Sequence, residues 1–142
     1  MEDAMVKGKA IICDLDGTLA ILEGRGPFEY ERCDTDLPSE AVVELLRAMG
    51  AAGHTVIFVS GREDSCREKT VSWINRLSLP SEKLFMRKTG DFRKDVIVKR
   101  EIYEKEIKEH YNVCFVLEDR NQAVRMWRSL GLPCFQVAEG DF

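Results

Sequence analysis

The chain has 142 residues, 44 % hydrophobic and 32 % charged, with a formal net charge of −4. That length can bury one sizeable core and leaves little for a second domain, and the acidic balance argues against a protein that coats nucleic acid over its whole surface. No apolar run approaches the roughly 18 residues of a membrane span, and the opening MEDAMVKGKA has acidic residues and no apolar stretch, so neither a membrane segment nor a secretion signal is expected.

Short apolar runs alternate with helical patterns along the chain. Residues 10–13 (Ala-Ile-Ile-Cys) read as a buried strand, and 20–38 as one long loop without periodicity. Ser39 is placed to cap a helix over 40–52 with Val42, Val43, Leu45, Leu46 and Met49 on one face, and Gly53 ends it. The β-branched run 55–59 is the clearest strand; a helix over 63–77, closed by Pro80, and a short strand over 83–86 follow. A helix is expected over 95–111 with Val98, Ile102, Tyr103 and Ile107 inward, then a strand over 113–117. A helix over 121–130, stopped by Gly131 and Pro133, leads to a last strand over 134–137. Apolar strands alternating with helices imply a three-layer, Rossmann-like α/β fold, a parallel sheet with helices on both faces, as one domain over 1–142.

The five cysteines are scattered and odd in number, with no C-x-x-C pair, against a disulfide framework or zinc site. Cys13, Cys114 and Cys134 lie in apolar runs and read as small core residues, which points to a reducing, cytoplasmic compartment. Trp73 and Trp127, at helical spacing from apolar neighbours, read as core. The segment 83–100 carries seven basic residues against Asp91 and Asp95, a local net charge of +5. It is either a polyanion-binding patch or a solvated loop.

Parallel sheets place their sites at the carboxyl ends of the strands. There the sequence puts Asp14 and Asp16, Ser60 and Arg62, and Glu118 and Asp119. In Asp14-Leu15-Asp16-Gly17-Thr18, Gly17 permits a sharp turn that brings backbone N–H groups near an anion, and Asp16 can reach the same bound group from another side. Ser60-Gly61-Arg62 is either a phosphate cradle, with Arg62 forking onto oxygens, or a strand-to-helix turn with a capping serine. Asp95 lies four residues before Lys99, as an aiming partner or as an exposed helix pair.

These motifs, in this order, resemble the haloacid dehalogenase superfamily of phosphotransferases. The resemblance implies Asp14 as nucleophile and Asp16 as general acid/base. It implies Thr18, Ser60, Gly61, Arg62 and Lys99 around the phosphate, Asp95 supporting Lys99, and Mg2+ held by Asp14, Asp16, Glu118 and Asp119. The charge logic agrees: two unit charges about 4 Å apart repel by roughly 4 kcal/mol at an effective dielectric near 20. A cation bridging carboxylate and phosphate offsets that repulsion.

Further strings narrow the likeness. Glu23-Gly24-Arg25-Gly26-Pro27-Phe28, Ser60-Gly61-Arg62-Glu63, Met86-Arg87, residues 90–95 (GDFRKD), Val98-Lys99, Asp119-Arg120-Asn121-Gln122, residues 126–131 (MWRSLG) and Gly140-Asp141-Phe142 resemble the phosphatase domain of bacteriophage-type polynucleotide kinase–phosphatases. That family implies removal of 3′-phosphates, and in some members 2′,3′-cyclic phosphates, from DNA or RNA ends. It also implies phosphate contacts from Arg25 and Arg62, and a kinase or ligase partner or domain. Glu118 departs from the family's Asp-Asp-Arg pattern by one methylene. No Gly-x-x-x-x-Gly-Lys-Ser/Thr loop occurs, so no kinase domain is expected within 1–142. Only 20–38 could form a cap, and it is short, leaving an open site suited to a polymer end. A nucleotidase or small-molecule phosphatase of the same mechanism, and a non-catalytic module binding phosphorylated ends, are the alternatives.

Overall fold

The computed structural model describes residues 7–22, 26 and 29–142. Strand β1 (Gly8–Cys13) is the centre of a five-stranded sheet. Its side chains alternate between two apolar layers. Ile11 and Cys13 join one core cluster, Ala10 and Ile12 the other. Both neighbours of β1 run parallel to it: β4 (Thr55–Glu63) on one side and β6 (Tyr111–Glu118) on the other. The outer strands β5 (Leu84–Arg87) and β7 (Cys134–Gln136) complete the parallel order β5-β4-β1-β6-β7.

Helices α1 (Glu40–Ala51) and α2 (Arg67–Arg76) cover one face through Val42, Val43, Leu46, Trp73 and Ile74. Helices α3 (Asp95–Ile102) and α4 (Asn121–Ser129) cover the other. There Tyr103 and Ile107, on the π-helical turn Tyr103–Ile107 that continues α3, pack with Ala123, Val124 and Trp127. The three-layer parallel fold expected from the alternating pattern is the fold observed. Both tryptophans are core residues, and Tyr103 meets Trp127 edge to face with centroids 5.9 Å apart.

The departures are local. Helix α2 begins at Arg67 rather than 63, because β4 stays extended to pair Glu63 with Arg87 past a register shift, and a 3-10 turn (Asp64–Cys66) intervenes. The helix expected to reach 111 stops earlier, because Tyr111 already pairs with Gly8 in the sheet. Ser39 precedes α1, but its side chain makes no capping bond; its backbone N–H donates to Leu19 O at 2.8 Å. Leu45, expected on the inner face of α1, is exposed. Cys114 is only half-buried, since β7 covers β6 only from Val116 to Glu118. Part of the stretch read as loop is ordered: β2 (Ala20–Ile21) pairs antiparallel with β3 (Leu37–Pro38), and Tyr30–Thr35 forms a 3-10 helix.

The segment 83–100 does not form one free basic face. Arg93 is forked onto Asp91 and Glu101, Lys99 is buried, and Arg87 bonds backbone carbonyls. Among the described residues, no helix is long and apolar enough to cross a membrane.

Ile57 is fully buried at the middle of the sheet. Ile57→Ala should lower unfolding free energy by about 2–5 kcal/mol in urea denaturation, the usual result of emptying such a site.

Candidate active site

The register of three adjacent strands builds the site. Cys13 lies opposite both Phe58 and Leu117, so Asp14, the first residue after β1, stands level with Glu118 at the end of β6, while β4 runs on past this level. Asp14 N–H donates to Leu117 O at 3.1 Å and fixes the turn out of β1. Gly17 adopts φ +86°, and a Cβ there would sit 2.0 Å from Asp119 Oδ2. Its absence lets the β1 loop close on the acidic loop after β6. A Cβ on Gly61 would likewise stand 2.1 Å from Asp95 Oδ1, so that glycine makes room for the start of α3.

Lys99 is the hub. Its ammonium, 2 % exposed, contacts Asp14 Oδ1 at 2.8 Å, Glu118 Oε2 at 3.0 Å and Asp95 Oδ2 at 3.3 Å. Burial alone would lower the Lys99 pKa, but Asp14, Glu118 and Asp95 outweigh it and hold the group well above its ordinary value. Asp95 does aim Lys99, from one turn earlier on α3, and is no exposed pair. Thr18 Oγ1 donates to Asp14 Oδ2 at 2.9 Å and approaches Asp119 Oδ1 at 3.3 Å.

Negative charge remains in excess. Burial first, then repulsion from Glu118, pushes the Asp14 carboxyl up to about 8, against the pull of Lys99. Burial, then Asp14, raises Asp119 to about 6. Ligand atoms of Asp14, Glu118 and Asp119 lie within 4.8 Å of one another. Three clustered carboxylates, two of them starved of compensating charge, are a hard-oxygen donor set suited to a divalent cation such as Mg2+. The longer Glu118 fits: its carboxylate accepts from Lys99, from Trp127 Nε1 at 3.3 Å and from the Asp119 N–H at 3.2 Å. Asp16, expected as a fourth metal residue, stands outside this cluster because its carboxylate is turned to Arg62.

The same pairing shows where Arg62, expected at the phosphate, stands in this structure. Its side chain is 0 % exposed and does not line the cavity around Asp14. The guanidinium forks onto Asp16, with Nη2 at 2.7 Å from Oδ1, and the same nitrogen reaches Asp36 Oδ2 at 2.8 Å while Nη1 donates to Thr70. Every face of the guanidinium thus meets protein. Arg62 therefore positions Asp16, and Ser60 Oγ is likewise turned inward, accepting from the Arg62 N–H at 3.0 Å. Arg25 lies outside the described residues.

A cavity of about 260 Å³ brings together Asp14, Asp16, Gly61, Lys99, Glu118, Asp119 and Asp95. Its other walls are Arg87, Arg120 and Phe142, to which sequence reasoning gave no role. Arg87 and Arg120 stand inside strings already singled out, beside Met86 and directly after Asp119. Asp36, the second anchor of Arg62, sits in the aperiodic stretch and had no signal.

A model of the polynucleotide kinase PNKP phosphatase domain, within the haloacid dehalogenase superfamily, matches residues 8–142. The chain belongs to this family. A relative from Autographa californica nuclear polyhedrosis virus, named as a bifunctional polynucleotide kinase/RNA ligase, is 34 % identical over 128 residues, covering 88 % of this chain and 18 % of the relative. Two solved structures of Pnkp1/Rnl/Hen1 complexes, the first described as an RNA repair complex, contain chains 43 % and 45 % identical, with TM-scores of 0.92 and 0.94. All of this chain is covered and 48 % and 50 % of theirs, so it spans half or less of these relatives. A class C acid phosphatase from Bacillus anthracis shares the fold, with a TM-score of 0.68 at 15 % identity over 96 % of this chain and 68 % of that one.

Two outcomes test the site. Asp36→Ala should cost about 3–5 kcal/mol in urea unfolding, since it strips a carboxylate from a buried guanidinium, and should slow turnover by loosening Asp16. The folded-state pKa of Asp14 lies above its unfolded value of 3.8, so the metal-free protein binds this proton more tightly when folded. Its stability should fall as pH rises from 3.8 to about 8 and level off above, and millimolar Mg2+ should reverse most of that fall in thermal melts at pH 8–9.

Proposed function

We propose that this chain is a magnesium-dependent polynucleotide 3′-phosphatase, with Asp14 as nucleophile and Asp16 as proton carrier. The observation that carries this reading is the juxtaposition of Asp14, Lys99, Glu118 and Asp119 at the floor of one cavity that Asp16 also lines.

In the first step a carboxylate oxygen of Asp14 attacks phosphorus, and the bond from phosphorus to the leaving O3′ breaks. Asp16 gives its proton to that oxygen. In the second, a water oxygen attacks the aspartyl phosphate, Asp16 takes the water proton, and the Asp14–phosphorus bond breaks to release inorganic phosphate. Lys99 holds Asp14 in place and offsets its repulsion with the incoming phosphate. Arg62 keeps the Asp16 carboxylate at the cavity wall through both proton transfers. Arg87 and Arg120 add positive charge around the phosphate oxygens. Mg2+, held by Asp14, Glu118 and Asp119, would supply the electrostatic compensation for negative charge gathering on the phosphoryl oxygens.

Support for a polymer end comes from the family and from shape. Among the described residues, only the short β2–β3 pair and one 3-10 helix stand where larger phosphatases carry a cap. The family suits either DNA or RNA ends, and 2′,3′-cyclic phosphates fall within the same chemistry. Removing a 3′-phosphate leaves the 3′-hydroxyl that a ligase requires, in keeping with relatives named for kinase and ligase functions. Residues 8–142 act as one phosphatase unit, with any kinase or ligase activity carried elsewhere. The location is cytoplasmic, in keeping with five free cysteines.

The test measures Mg2+-dependent phosphate release from a 3′-phosphorylated oligonucleotide, a 5′-phosphorylated one, a 3′-mononucleotide and an aryl phosphate. Preference for the first is expected. Equal or faster turnover of the small substrates would make the chain a nucleotidase or general phosphatase, and tight end binding without turnover would make it a binding module. Asp14→Asn should lower kcat by about 10⁴-fold or more while melting as a folded protein. A still-active variant would remove Asp14 from the nucleophile's role.

A further inference from the structure

Beside the phosphate cavity lies a larger one of about 590 Å³, within the size range of ligand sites. The two share Arg87, Asp95 and Arg120 as a common wall. A substrate whose phosphate rests over Asp14 therefore extends naturally into the second space.

At that second space stands Phe92, 89 % exposed, the most exposed large hydrophobic side chain among the described residues. The segment that carries it is held by hydrogen bonds. The Asp91 N–H donates to Lys88 O at 3.0 Å, and Arg87 Nη1 donates to Asp91 O at 3.0 Å and Arg93 O at 2.6 Å. The N–H and hydroxyl of Thr89 both donate to Asp64 Oδ1, at 3.0 and 2.8 Å. The backbone on both sides of Phe92 is thus tied down, which fixes where its Cα presents the ring. Lys94 and Arg120 bring positive charge to the same cavity, while Arg93 is consumed by Asp91 and Glu101. Arg120 is itself fixed: its Nε donates to Phe142 O at 2.9 Å, and its guanidinium lies 5.3 Å from the Phe142 ring centroid.

We propose that this cavity is a nucleoside subsite, in which Phe92 stacks on a base at the phosphorylated end of the substrate and Lys94 and Arg120 hold the adjoining phosphodiester. The proposal rests on the polynucleotide reading above and assigns it a specificity-determining residue. An aromatic face accepts any base, so the subsite favours nucleic acid over other phosphate esters without selecting sequence.

The experiment compares kcat/KM for a 3′-phosphorylated oligonucleotide with that for the same oligonucleotide made abasic at its last two nucleotides, in the parent and in Phe92→Ala and Phe92→Trp. The parent should favour the intact end by roughly 5- to 100-fold, the range for one base on one ring. Phe92→Ala should bring the ratio close to one, and Phe92→Trp should restore it. A change that only loosened the loop would lower both substrates together and leave the ratio standing. A parent ratio near one, or a ratio that Phe92→Ala keeps, overturns the subsite while leaving 3′-phosphatase activity intact. An intact oligonucleotide turned over no better than a 3′-mononucleotide overturns the polynucleotide reading, and with it the phosphodiester contacts of Lys94 and Arg120.

Discussion

One buried ammonium decides how the rest of this structure can be arranged. Lys99 sits among Asp14, Asp95 and Glu118 with almost no access to water. A lone charge there would be heavily penalised, and so would each carboxylate without it. Three elements must therefore arrive together: the end of β1, the end of β6 and the first turns of α3. The fold satisfies this by placing β1 between β4 and β6, so that neighbouring strands release their acidic residues at a common level. Burial first, and then mutual repulsion that one lysine does not cancel, raise the Asp14 and Asp119 carboxyls. Asp14, Glu118 and Asp119 thus form a cluster that could hold a divalent cation.

The parts legible in the sequence are those fixed by local rules. Strands β1, β4 and β6 are continuous apolar runs, and Asp14, Asp16, Glu118 and Asp119 follow two of them directly, so periodicity and strand-end position sufficed. The Asp95–Lys99 pair was legible because i,i+4 spacing defines a helix face. What escaped depends on long-range pairing. Arg62 was assigned to phosphate because an arginine after a strand is free to reach an anion until something claims it. Its claimant, Asp36, lies 26 residues earlier in a stretch with no period at all. The late start of α2 has the same origin, since the pairing of Glu63 with Arg87 keeps β4 extended and no local propensity reports it.

Glu118 shows how a departure from a family pattern can be absorbed. The extra methylene could have thrown the carboxylate past its site. Instead Trp127 Nε1 and Lys99 both donate to Glu118 Oε2 and the Asp119 N–H donates to Oε1, and the acid remains grouped with Asp14 and Asp119. The indole is thus a core residue whose single polar atom donates to the acidic cluster.

The clasp on Arg62 has an evolutionary consequence. Because the Asp16 carboxylate is steadied by a guanidinium that also grips Asp36, the small insert bearing Asp36 is tied directly to a side chain of the cavity wall. A lineage that replaced this insert with a bulky hood would have to furnish a new anion for the stranded arginine. That constraint offers a reason for the insert to stay small.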